Sequence, residues 1–125
     1  MSNNIIGLEF ETLVPDVINA RTLGDSLPRG GSSHLVDANS NWETKGDGSL
    51  RPNRDEQGVE YVTPRHRWNT QCVGWLFEVC SIMRGSGVRV NNSCGFHIST
   101  STQQMNPQQC HNFFQLAKRY QQAFY

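Results

Sequence analysis

From Ile5 to Thr12 the chain alternates with a period of two, so that Ile6, Leu8, Phe10 and Thr12 fall on one face of an extended strand and Gly7, Glu9 and Glu11 on the other. A strand of this kind needs an apolar cover on one side only, and it sets two carboxylates side by side on the opposite face. The chain has 125 residues, 36% of them apolar, which is room for one such layered domain or part of one and not for two.

Two further segments repeat the theme. Val59-Glu60-Tyr61-Val62-Thr63 is rich in β-formers and stops at Pro64, with Glu60 and Val62 sharing a face. In Cys94–Thr100, Phe96 and Ile98 share one face while Gly95, His97 and Ser99 share the other. Shorter strands are expected at 42–45 and 88–90. The first ends at Gly46-Asp47-Gly48, whose glycines permit the positive φ of a tight turn.

Thr70 is placed to cap a helix running to about Arg84, in which Cys72, Trp75, Leu76, Val79, Cys80 and Met83 recur at three- and four-residue spacing, and Gly85 and Gly87 end it. Asn106 and Pro107 open a last helix whose stripe is Cys110, Phe113, Phe114, Ala117, Tyr120 and Phe124, and its Gln-rich remainder is a solvated face. Residues 15–41 read as mostly loop with one short helix, and Gly30-Gly31-Ser32-Ser33 as a flexible loop without the phosphate-loop pattern. The sum is an α+β fold, with an antiparallel or mixed sheet and helices packed on one face.

Eleven basic residues offset eleven acidic ones, which gives no electrostatic footprint for nucleic acid. No apolar run approaches the roughly 18 residues of a membrane span, and the start lacks the features of a signal peptide, so a cytoplasmic protein is expected. Cys72, Cys80, Cys94 and Cys110 contain no CxxC pair and read as reduced core thiols. Cys94 and His97 lack the second pair that a zinc site needs. His34, His66 and His111 read as surface or satisfied histidines.

Glu9, Glu11, Glu60 and His97 thus come from three strands and share a polar sheet face. Carboxylate oxygens suit hard divalent cations such as Mg²⁺, which leave positions for water and phosphate. The same residues are also ordinary on the solvated face of an antiparallel sheet.

Four motifs in order, Gly7-Leu8-Glu9-Phe10-Glu11, Trp42 to Leu50 around Lys45-Gly46-Asp47-Gly48-Ser49, Gly58 to Pro64, and Val90 to Ile98 around Asn92 and Gly95, resemble the amidoligase family. These are relatives of glutamine synthetase and glutamate-cysteine ligase. The resemblance implies a curved antiparallel sheet of glutamine synthetase-like catalytic fold whose concave face binds ATP and Mg²⁺. Its reaction phosphorylates a small-molecule or peptide carboxylate to an acyl phosphate, which an amine attacks to leave an amide.

Carried over residue by residue, the resemblance makes Glu9, Glu11 and Glu60 the metal ligands and brings His97 to metal or phosphate. Asp47 would orient a substrate amine, Lys45 would reach a phosphate, and Asn92 and Gly95 would shape the start of the last strand. Where many relatives read His-x-His, this chain has His97-Ile98-Ser99. Relatives also run well past residue 125, so residues 1–125 are expected to be the amino-terminal, truncated part of the domain, with a second polypeptide or segment completing the site. A non-catalytic remnant or small binding module, and a metal-dependent hydrolase working through Glu9, Glu11, Glu60 and His97, stand as alternative functions.

Overall fold

The computed structural model describes residues 5–100 together with Gln108, His111, Asn112 and Gln115. Its elements in chain order are β1 (Ile5–Pro15), α1 (Ala20–Ser26), β2 (Glu43–Gly46), β3 (Glu56–Val62), β4 (His66–Arg67), α2 (Gln71–Gly85) and β5 (Phe96–Thr100).

The alternation read in the first strand holds from Ile5 to Thr12, with Ile6, Leu8, Phe10 and Thr12 buried and Glu9 and Glu11 only partly so, and it ends at Leu13 and Val14, which are both buried. Both edges of β1 are occupied. The order is β2-β3-β1-β4, and β5 lies along the other edge of β1. Every pairing is antiparallel, which settles the open choice between an antiparallel and a mixed sheet, and the sheet is curled. Register then decides which side chains share a face, because cross-strand partners point the same way. Phe10 stands opposite both Tyr61 and Phe96, and Leu8 opposite Ile98.

This apolar face is covered by α2, whose Trp75, Leu76, Val79 and Met83 join Ile6, Leu8, Phe10 and Tyr61 in one core with Trp42 and α1's Leu23. Cys80, expected in the buried stripe, is only partly buried. The cysteines described, Cys72, Cys80 and Cys94, are free thiols. Among the described residues no helix is long and apolar enough to cross a membrane.

Several local expectations are corrected. Thr70 precedes α2 with helical angles (φ −62°, ψ −24°) and caps nothing; Asn69 Oδ1 instead accepts from the Gln71 N–H at 2.9 Å. The stretch at 88–90 forms one bridge, Leu13 to Arg89, clamped by the two-pronged pairing of Arg89 with Glu56 at 2.5 and 2.7 Å. The glycines of Gly46-Asp47-Gly48 do not use positive φ; among the described residues only Gly30 and Gly87 do.

Within the loop Gly30-Gly31-Ser32-Ser33, Gly30 is packed, since a Cβ there would lie 2.5 Å from His66 and 2.7 Å from His34, while Gly31, Ser32 and Ser33 are exposed. Most of the last predicted helix, with Asn106, Pro107, Cys110, Phe113, Phe114, Ala117, Tyr120 and Phe124, lies outside the described residues. Gln108, His111, Asn112 and Gln115 are helical and exposed, in keeping with a solvated face.

Two helical glycines separate propensity from packing. At Gly74 in α2 an added Cβ meets nothing within 4 Å, whereas at Gly24 in α1 it would sit 2.2 Å from Thr44 Oγ1 and 2.9 Å from the Tyr61 ring. Gly74→Ala should therefore stabilise by about 0.5–1 kcal/mol, the helix-propensity gain. Gly24→Ala should destabilise by about 1–3 kcal/mol through overpacking despite the same propensity gain. Urea-unfolding midpoints of the two variants check both signs.

Candidate functional site

On the face away from the helices, sheet register assembles the polar residues. Glu11 stands opposite Glu60, Glu9 opposite Val62 on one side and His97 on the other, and Lys45 opposite Glu60. Of the three glutamates expected to act together, the structure brings Glu11 and Glu60 into one cluster, but the third carboxylate there is Asp47. Glu11, Asp47 and Glu60 each offer an oxygen within 4.8 Å of the others. Glu9 lies at the flank, where its Oε2 is 3.2 Å from His97 Nδ1.

Asp47 reaches the trio because the turn after β2 folds back over β3. Its N–H donates to the Gly58 carbonyl at 3.0 Å, and a Cβ on Gly58 would come within 2.5 Å of the Asp47 carbonyl oxygen. Gly58 is thus the gap into which the turn settles. The turn itself is held by the aspartate side chain, whose Oδ1 accepts from both the N–H and the hydroxyl of Ser49 at 2.9 and 2.5 Å. Oδ2 is left as the oxygen free of that grip.

Glu11 is held from the other edge. The Gly95 N–H donates to its Oε1 at 2.7 Å, and His97 Nε2 lies 3.8 Å from the same oxygen. A Cβ on Gly95 would fall 2.7 Å from that Glu11 oxygen, so the missing side chain of Gly95 lets the backbone approach the carboxylate.

The start of the last strand is shaped by Asn91, not Asn92. Asn91 Oδ1 accepts from the Ser93 N–H and hydroxyl, its Nδ2 donates to the Arg51 carbonyl, and the Arg51 N–H donates to Ser93 Oγ. This knot ties the loop that follows Asp47 to the loop that precedes Gly95. Asn92 is exposed. Lys45 is exposed too, with its Nζ 3.6 Å from Glu43 and its register position beside Glu60.

The carboxylates are not equivalent. Burial foremost, then the neighbouring Asp47, pushes Glu11 above its ordinary value of 4.5. Burial and then the Glu9 charge push Glu60 up as well. Asp47 moves the other way, because the Ser49 hydroxyl and N–H stabilise its charged form. Three crowded acids, one held ionised and two resisting ionisation, are a donor set that could hold a cation with a preference for oxygen.

The family model for the putative amidoligase enzymes matches residues 7–125, which takes in all four motifs and every residue of this site. The chain belongs to that family, a family of ligase-type enzymes. No curated protein and no solved structure matches it.

Removing one charge from the trio should stabilise the cation-free fold. A carboxyl whose folded pKa is raised contributes most below its unfolded value and loses that contribution as pH climbs through the folded value. Glu60→Gln is therefore expected to unfold at a higher temperature than the parent at pH 7, by up to about 1 kcal/mol, the size of a like-charge pair across strands. The gain should vanish below about pH 4. Thermal melts in chelator at both pH values test this.

Proposed function

We propose that the chain carries the metal- and nucleotide-binding face of an ATP- and Mg²⁺-dependent carboxylate–amine ligase. The observation that carries this reading is the Glu11–Asp47–Glu60 trio, gathered from three segments onto one partly buried sheet face in a chain that belongs to the amidoligases. All its donors are carboxylate oxygens, the set that Mg²⁺ prefers over softer metals.

Glu11, Asp47 and Glu60 would hold the cation, and Ser49 and Gly58 would keep Asp47 in place. Bound Mg²⁺ would supply neutralisation of phosphate charge. Lys45, on the same face, provides a cation for a phosphate oxygen once it leaves Glu43. The Glu9–His97 pair lies beside the trio and would contact phosphate or a second cation. The substrate carboxylate takes the terminal phosphoryl group of ATP and releases ADP. An amine then attacks the acyl carbon, loses a proton and expels phosphate, which leaves an amide. Phosphoryl transfer of this kind depends chiefly on positioning and charge neutralisation, which a rigid sheet face suits.

Thermal unfolding of the protein with and without Mg·ATP tests the reading, because a ligand at a hundred times its Kd adds about 2.7 kcal/mol of stability. A rise in Tm with Mg·ATP that chelator removes is expected, together with its loss in Glu11→Gln and Asp47→Asn. Ser49→Ala should weaken the cation about tenfold, as loss of a supporting hydrogen bond to a ligand does. Equal Mg²⁺ affinity in all three variants and the parent would overturn the assignment. ADP release that requires both a carboxylic acid and an amine, with hydroxylamine as surrogate, distinguishes a ligase from a nucleotide-binding module.

A further inference from the structure

The face opposite the candidate site buries two histidines that the proposed function does not use. His34, in the segment between α1 and β2, and His66 in β4 are 3% and 0% exposed, and their Nδ1 atoms are 2.7 Å apart. A contact that short between ring nitrogens holds one proton.

Its owner follows from the remaining nitrogens. His34 Nε2 accepts from the Gly31 N–H at 3.1 Å and so carries no proton. A neutral His34 must then keep its proton on Nδ1 and donate to His66 Nδ1; the reverse arrangement would leave His34 an anion. Neutral His66 in turn carries its proton on Nε2, which is buried and has no protein partner.

Neither ring can accept a second proton without breaking a bond. A proton on His34 Nε2 would face the Gly31 N–H, and one on His66 Nδ1 would face the His34 proton. Among the described residues no carboxylate pairs with either ring: α2 presents Trp75, whose ring centre is 3.9 Å from that of His66, with the Cys72 thiol turned to the Arg67 carbonyl, and Ile6 of β1 stands opposite His66. The nearest cations in sequence, Arg65 and Arg67, are both exposed. Burial, and then the His34 charge, hold His66 down at about 4, and burial lowers His34.

The pair sits where a loop is fastened. Around it the Arg67 N–H donates to the His34 carbonyl at 2.7 Å, the Val36 N–H to the Arg65 carbonyl at 3.1 Å, and Leu35 bridges His66. Beside it the Trp75 indole N–H donates to the Pro28 carbonyl at 2.7 Å. Gly30, at φ +100°, leaves no room for a side chain against either ring.

We infer that the His34–His66 pair is an acid-released latch, which pins residues 28–40 to β4 while both rings are neutral and lets that segment open when the pair takes up a proton. For a group whose folded pKa is depressed, the contribution is complete above the unfolded value of 6.5 and is lost as pH falls toward about 4. Opening should become up to about tenfold more favourable per pH unit in that window.

Hydrogen exchange tests the latch on the intact protein. Protection factors of the Val36 and Arg67 amides, corrected for intrinsic rates, should fall at least about tenfold from pH 7 to pH 5, while those of Val79 and Met83 in α2 should fall less. In His66→Phe that difference between segments should disappear. Nitrogen-15 spectra of the unmodified protein at pH 7 should show the proton of His34 on Nδ1 and that of His66 on Nε2. Equal falls in both segments, a pH response retained in the variant, or a doubly protonated ring at pH 7 would each overturn the latch. The tautomer reading stands even if the variant does not fold.

Discussion

The double occupancy of β1 is the constraint on which the rest of the molecule rests. One strand pairs with β3 and β4 along one edge and with β5 along the other, and its alternation assigns every neighbour a face. The same eleven residues supply six buried positions, five of them on the face that carries Leu8 and Phe10, and two partly buried carboxylates on the other. A shift of one residue in any pairing would turn acids into the core, so the requirement to bury Leu8 and Phe10 also fixes where Glu9 and Glu11 point. Core and candidate site are two readings of one register.

The parts of the site that come from strands were legible in the sequence for this reason. Periodicity places Glu11, Glu60 and His97 on one face without any knowledge of which strands are neighbours. It cannot say which of them meet, because that depends on pairing order. Glu9 and Glu11 are two residues apart and look equivalent, yet Glu11 lies opposite Glu60 while Glu9 lies opposite Val62 and His97. Asp47 comes from a turn, where no periodicity operates. Its place in the trio depends on the missing side chain of Gly58 and on the Ser49 hydroxyl, two small residues whose roles appear only once the turn is folded back.

The other misreadings share a cause. Glycine was read as freedom at Gly46, Gly48 and Gly30, but at the first two the Asp47 side chain shapes the turn, and at Gly30 positive φ serves a packed contact with two imidazoles. Thr70 has the composition of a cap, but Asn69 occupies the geometry of one. Asn91 and Asn92 are indistinguishable as letters, and only the first faces Arg51 and Ser93. For His34 and His66 the sequence leaves surface and satisfied histidines as equal readings, because a partnership across 32 residues has no spacing to read, and the structure shows them buried and paired with each other.

The place of β1 in the chain has a consequence before folding is complete. Its first ladder partner begins at Glu56 and its last is β5, so this strand has no local hairpin and must wait for most of the chain to be made. During that wait its apolar side chains are exposed on an extended segment of high β-propensity, the sort that recruits other chains. Glu9 and Glu11 break that segment with charge at alternate positions, the pattern that keeps unpaired strands apart in water. Glu11, which the proposed function gives to a cation, and Glu9 beside it thus have an earlier task, as guardians of the nascent strand against aggregation.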